Sequence, residues 1–156
     1  MKREQKSLTN KGFSLVELII VVAIMAVLIG VLAPQYLRYV EKTRLQRDNS
    51  SIAEVANVIK MASAEEAVIA QLASGPVTYT FSTTGMATVG STALDAEIKA
   101  TITPADVKIT SNTYVNAGAS AAPTLTVKIN STNKQIEVEA SNWVEKPGDG
   151  TTTKKF

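Results

Sequence analysis

Residues 18–33 read Leu-Ile-Ile-Val-Val-Ala-Ile-Met-Ala-Val-Leu-Ile-Gly-Val-Leu-Ala, sixteen consecutive positions without a polar side chain. Extended back to Phe13 the run has twenty-one residues, broken only by Ser14 and Glu17. At about 1.5 Å per residue, roughly twenty helical residues cross a hydrocarbon layer of about 30 Å. The run can span a membrane, but only by taking the Glu17 carboxyl inside.

Three ordinary readings compete for such a segment. A cleaved secretory signal wants small residues one and three positions before the cut; Val31-Leu32-Ala33 nearly fits, but Pro34 would then follow the scissile bond. A simple signal anchor leaves Glu17 in lipid without a reason, at about 2.5–3.5 kcal/mol on insertion scales. Its orientation is also weakly specified, because Arg38, Lys42, Arg44 and Arg47 follow the run just as Lys2, Arg3, Lys6 and Lys11 precede it. A buried core helix this apolar needs a larger protein around it than 156 residues supply.

The charge balance is asymmetric. Sixteen Lys and Arg against fourteen Asp and Glu give +2, yet four of the cations and only one anion, Glu4, fall in the first twelve residues. The leader is basic and the remainder close to neutral, which argues against a nucleic-acid partner and for membrane targeting. With no cysteine and no histidine, the chain excludes disulfides, thiol nucleophiles, imidazole acid–base catalysis and Cys- or His-containing zinc sites. No P-loop sequence occurs. Glu65-Glu66 and Glu137/Glu139 are the conspicuous carboxylate pairs, and a solvated face accounts for the second better than catalysis does. The chain is read as a non-enzyme without cofactor or metal.

Beyond Pro34, apolar residues recur at Leu45, Ile52, Val55, Ile59, Ala62, Ile69 and Leu72, one stripe of an amphipathic helix. Pro34 and Gly30 are the sole Pro and Gly between Phe13 and Gly75. A single helix of about 60 residues, roughly 90 Å long, is therefore predicted, ending at Gly75-Pro76. After Gly75 the composition turns to threonine, with sixteen of the eighteen threonines. Strands are predicted at 78–81, 107–109, 125–129 and 136–139, the last two joined as a hairpin through Ser131–Lys134. A short helix is predicted over 92–100, opened by Thr92 with Asp95 three residues on. Residues 116–123 read as a small-residue loop, and Trp143 and Tyr114 as sheet or core anchors. The resulting division is a leader at 1–12, an apolar half-helix at 13–40, an amphipathic half at 41–74, a sheet domain at 75–146 and a flexible tail at 147–156. The fold class is α+β, a long N-terminal helical spine packed against a small antiparallel sheet.

The run Lys11-Gly12-Phe13-Ser14-Leu15-Val16-Glu17-Leu18, followed at once by the apolar stretch, resembles the class III signal of type IV pilins and pseudopilins. The resemblance covers roughly residues 6 to 50 and is most specific at Gly12, Phe13 and Glu17; Pro34 also sits where many members carry a proline. It implies that a prepilin peptidase cuts between Gly12 and Phe13 and methylates the new amino group of Phe13, so that the apolar segment is kept. It implies that Phe13 and Glu17 direct subunit assembly, the carboxylate pairing with the Phe amine of a neighbouring copy, and that Gly30 and Pro34 soften the helix. The partners implied are further copies of the chain in a helical homopolymer, the membrane before assembly, the peptidase, an assembly ATPase and a platform protein. The bottom-up alternative for Glu17 is an interaction with the N-terminus of its own helix. The location implied is the cytoplasmic membrane, then a filament at the cell surface, serving adhesion, twitching motility or aggregation. The expected role is the major pilin, with a pseudopilin of a type II secretion or DNA-uptake machine, or a non-polymerising membrane-anchored binding domain, as alternatives. Many Gram-negative pilins close a C-terminal loop with a disulfide; the absence of cysteine fits pilins of Gram-positive bacteria or a pseudopilin.

Overall fold

A computed structural model describes residues 12–89, 93–116 and 122–156. The chain forms two compact units, Met1–Arg38 and Tyr39–Phe156. The described part of the first is a short coil at 12–14 followed by helix α1, which begins at Leu15. Every residue of this unit from Gly12 to Arg38 is exposed, although twelve of the sixteen from Leu18 to Ala33 are large and apolar.

Helix α1 runs from Leu15 to Ala62 and passes through Gly30 and Pro34 without interruption. In the second unit it buries Leu45, Ile52, Val55, Ala56, Ile59 and Ala62, the stripe that the helical period picks out. The helix stops well short of Gly75. The Ser63 hydroxyl donates to the Ile59 carbonyl at 2.6 Å, and Ala64 and Glu65 bond three residues back instead of four, which tightens and ends the helix. Helix α2, Glu66–Ser74, starts afresh in a different phase, burying Val68 and Leu72 and leaving Ile69 43% exposed. The expected single helix to Gly75 is thus two: the Ile59 carbonyl takes both the Ser63 N–H, at 2.9 Å, and its hydroxyl, and the ladder shifts to three-residue bonds from Ala64 on, where neither Pro nor Gly marks a break.

Five antiparallel strands follow in the spatial order β2-β1-β3-β4-β5: β1 Val77–Ser82, β2 Gly85–Val89, β3 Thr124–Ile129, β4 Ile136–Trp143 and β5 Thr152–Lys155. Alternation puts Val77, Tyr79, Phe81, Leu125, Val127, Val138 and Ala140 into one core with the buried stripe of α1. The α+β class, a long N-terminal helix with a small antiparallel sheet, is as expected. Helix α3, Ala93–Thr101, matches the short helix predicted there, with Leu94 and Ile98 buried; its expected cap, Thr92, lies outside the described residues, as does most of the 116–123 loop. Helix α4, Asn112–Val115, is one turn capped by Ser111.

Three other features depart from the sequence reading. Residues 107–109 are not a strand: they leave a 3-10 turn at Pro104–Asp106, and Ile109 makes one sheet-like bond, its N–H to the Ser82 carbonyl at 3.0 Å. Strand β2 escapes sequence reading because Gly85-Met86-Ala87 has poor strand propensity and is held by pairing to β1. Gly85, at φ 134°, is required there: an added Cβ would lie 2.7 Å from the Pro104 carbonyl oxygen.

The third is the flexible tail assigned to 147–156. Its end is β5, pairing Lys155 with Glu139, Lys154 with Ala140 and Thr152 with Trp143. The Lys155 ammonium lies 3.0 Å from Glu139, and the Phe156 ring meets Trp143 edge-on at 5.6 Å. A Thr–Lys run has no alternation of its own; its partners are supplied by β4. A bulge at Asn142, φ 58°, realigns the ladder between Ala140 and Trp143.

Candidate processing and assembly site

The start of α1 is built from Ser14, Leu15, Val16 and Glu17. Leu18 donates the first helical hydrogen bond to the Ser14 carbonyl at 3.2 Å. Glu17, in the third helical position, reaches back: its Oε2 accepts from the Ser14 backbone N–H at 2.9 Å. This is the acidic half of a capping box, Ser-x-x-Glu, which satisfies one of the donors that a helix N-terminus leaves open and sets a negative charge against the positive end of its dipole. Glu17 therefore has a partner within its own chain, the intrachain alternative read from the sequence. Its second oxygen has no hydrogen-bond or ionic partner among the described residues.

Gly12 and Phe13 precede the helix as exposed coil, and the Phe13 ring is 94% exposed. The peptide bond between them is not tied into the α1 ladder, the state a peptidase needs in order to seat a backbone. A Cβ on Gly12 would meet nothing within 4 Å, so the folded chain itself sets no demand for glycine there. The structure thus brings Gly12, Phe13 and Glu17 together around one helix start.

Gly30 and Pro34 lie one helical step away from each other. The hydrogen bond that Pro34 cannot donate is the one to the Gly30 carbonyl, so one rung of α1 is missing between them. A Cβ on Gly30 likewise meets nothing within 4 Å. The helix stays continuous across the gap.

Sequence reasoning missed the acids that follow. In the sequence Glu41 and Asp48 interleave with Arg38, Lys42, Arg44 and Arg47, a cluster that fits equally a surface for lipid headgroups and acids of adjacent subunits or a solvated helix face of paired charges. No ion pair joins them among the described residues. Glu41 instead accepts from the Thr113 N–H at 2.8 Å and hydroxyl at 2.9 Å. Burial pushes its carboxyl up, but the N–H groups of Thr113 and Asn112, the Thr113 hydroxyl and the Arg44 charge outweigh that and hold it below the ordinary value. Asp48, fully buried, takes the N–H groups of Thr110 and Ser111 and the Thr110 hydroxyl. The Asn49 side chain is occupied by the Tyr114 hydroxyl and the Val144 carbonyl. These acids tie α1 to the 110–113 segment. No cluster of three or more metal-ligating side chains exists among the described residues.

Of the helices described, α1 alone is long and apolar enough to cross a membrane, and its apolar window is wholly unburied. No curated protein and no solved structure matches the chain. Residues 8–33 match the prokaryotic N-terminal methylation motif. With Gly12–Phe13 free of the helix, Glu17 in its first turn and the apolar run behind it, the chain carries the class III signal peptide of type IV pilins at the head of a long apolar helix.

Proposed function

We propose that the protein is a structural subunit of a type IV pilus, the major pilin, which polymerises through its N-terminal helix into a filament at the cell surface. The observation that carries this reading is the apolar first part of α1, whose residues from Leu15 to Leu37 are exposed among the described residues. An apolar surface of that extent demands lipid or other copies around it. A capped and unbroken helix start serves both environments in turn.

In this reading a prepilin peptidase hydrolyses the Gly12–Phe13 bond and methylates the Phe13 amine. Cleavage removes the basic leader and frees a cation beside the positive end of the α1 dipole, where it is poorly placed. The unoccupied oxygen of Glu17 on a neighbouring copy offers that amine a partner. Such a pair inside an apolar core is costly to leave half-made, which favours one axial register. Transfer from lipid to a helix bundle brings little hydrophobic gain, so an assembly ATPase and a platform protein supply the work. The missing rung between Gly30 and Pro34 is where α1 yields as copies pack.

A sheared cell-surface preparation tests the reading. The expected result is filaments whose subunit begins at Phe13 and carries one added methyl group by intact mass. A chain that starts at Pro34, or retains its first twelve residues as a monomer, overturns it. A processed chain confined to the cell envelope points instead to a pseudopilin.

A further inference from the structure

The second unit contains a cleft of about 540 Å³, within the range of small-molecule sites, lined by α1, the end of β4 with the turn after it, and β5. Helix α1 contributes Lys42 and Gln46, the turn after β4 contributes Glu145 and Lys146, and β5 contributes Lys154. Three lysines and one glutamate therefore line it. None of the three lysines has a carboxylate within 4.0 Å among the described residues. Lys128 and Lys155, by contrast, are neutralised by Glu137 and Glu139. The fold thus spends its nearby acids on one pair of lysines and leaves three uncompensated around a concavity. Like charges gathered in this way repel until a counter-charge arrives.

From this arrangement we propose that the Lys42–Lys146–Lys154 cleft binds a phosphate group. Its chemistry favours phosphate over carboxylate. Lysine ammoniums are point charges that can surround a tetrahedral anion from several sides, whereas planar carboxylates are matched by the arginine fork, and no arginine lines the cleft. The Gln46 amide, without a side-chain partner among the described residues, adds neutral donors. Trp143 forms part of the wall, and its indole N–H is enclosed without an acceptor among the described residues. The Lys154 ammonium stands 4.6 Å from the centre of that ring, held by a cation–π contact. An anion that draws Lys154 into the cleft removes it from the ring. Trp143 is the sole tryptophan of the chain, so its emission reports this site alone.

The phosphate can come from a soluble ester or from a lipid headgroup, and two arms separate them. The full chain in zwitterionic detergent micelles is dialysed to equilibrium against radiolabelled glycerol 3-phosphate at low salt. In parallel, Trp143 emission is followed as the micelles are doped with phosphatidylglycerol or with diacylglycerol, its phosphate-free counterpart. Saturable uptake in the first arm identifies a soluble ester; a response to phosphatidylglycerol alone identifies a headgroup. The triple variant K42Q/K146Q/K154Q is expected to weaken whichever response occurs at least about tenfold, since each lysine removed weakens a charge-assisted contact. The control triple K60Q/K99Q/K108Q, on exposed lysines outside the cleft, keeps wild-type binding. Far-UV circular dichroism checks that each variant is folded; should the triple variant unfold, each single Lys→Gln exchange is expected to give a partial loss. No response in either arm, or equal losses in the cleft and control variants, overturns the proposal.

Discussion

The Asp48 carboxylate accepts the Ser111 backbone N–H at 2.7 Å, joining α1 to the segment that caps α4 across 63 residues of sequence. The same carboxylate takes the Thr110 N–H and hydroxyl, each at 2.9 Å. One buried charge thereby fixes the path of the chain between the 3-10 turn and α4. Exchange of Asp48 for Ala leaves buried N–H groups without acceptors and is expected to cost about 3 kcal/mol, while Asn, which keeps one acceptor oxygen, costs less. Denaturant unfolding of the two variants measures the order; an unchanged midpoint for Asp48→Ala removes the role.

Tyr114 links the same region to β4. Its hydroxyl donates to the Asn49 Oδ1 at 2.7 Å and accepts the Val144 N–H at 3.0 Å. Tyr114→Phe keeps the ring but strands that N–H, for an expected loss of about 1–3 kcal/mol. Burial, with the Asp48 charge, raises the phenol above its ordinary value, against a smaller lowering from the Val144 backbone. The folded state therefore disfavours the phenolate, and this stabilisation fades as pH rises above the ordinary value of 10.0. Alkaline titration followed at the tyrosinate band should show less pH dependence of stability in the Phe variant.

At Gly85 a side chain has nowhere to go. Gly85→Ala puts a Cβ 2.7 Å from the Pro104 oxygen at φ 134°, so a loss of about 2 kcal/mol or more is expected. Gly12→Ala, by contrast, meets open space and should leave folding unchanged while blocking leader removal. Thermal melts and a gel-shift assay of processing separate the two effects.

The pairing of β5 to β4 should be pH-sensitive from both sides. Hydrogen bonds from Lys128 and then Lys155 hold the Glu139 carboxyl below its ordinary 4.5, and Glu139 with Glu137 raises Lys155 above 10.5. A depressed carboxyl gives stability that is complete above the ordinary carboxylate value and is lost as pH falls through the lower folded one. The raised ammonium gives stability complete below 10.5 and lost as pH climbs through the higher value. Glu139→Gln should flatten the acid limb of a stability–pH profile. An unchanged acid limb rejects the assignment.

Within the proposed filament, Glu17→Ala should abolish surface assembly while leader cleavage and membrane insertion persist. Glu17→Gln keeps a hydrogen-bond acceptor for Ser14 but not the charge. If intersubunit pairing with the Phe13 amine drives docking, Gln fails as Ala does; if capping of α1 is the whole role, Gln assembles. Pilus yield after shearing, scored against processed subunit in the membrane, distinguishes these outcomes.

Much of this molecule was legible in one dimension because the relevant forces are local. Helix α1, its buried stripe and the β3–β4 hairpin follow from hydrophobic period and turn chemistry, each decided within a few neighbours. What could not be read were features whose partners lie far along the chain. Strand β5 has no alternation of its own and exists because Glu139 and Trp143 wait on β4; β2 is held by β1 against its own propensity. Glu41 and Asp48 looked like members of a charged helix face, and turned inward because the 110–113 segment presents donors that only the folded chain brings there. The break after Ala62 is a shift of the Ala64 and Glu65 N–H groups to carbonyls three residues back, at residues of ordinary helix propensity, so composition does not record it. Short-range periodicity therefore set the spine and the motif at its head, whereas long-range hydrogen bonding and ion pairing, available only once the core has formed, decided the sheet edges and the fate of the acids.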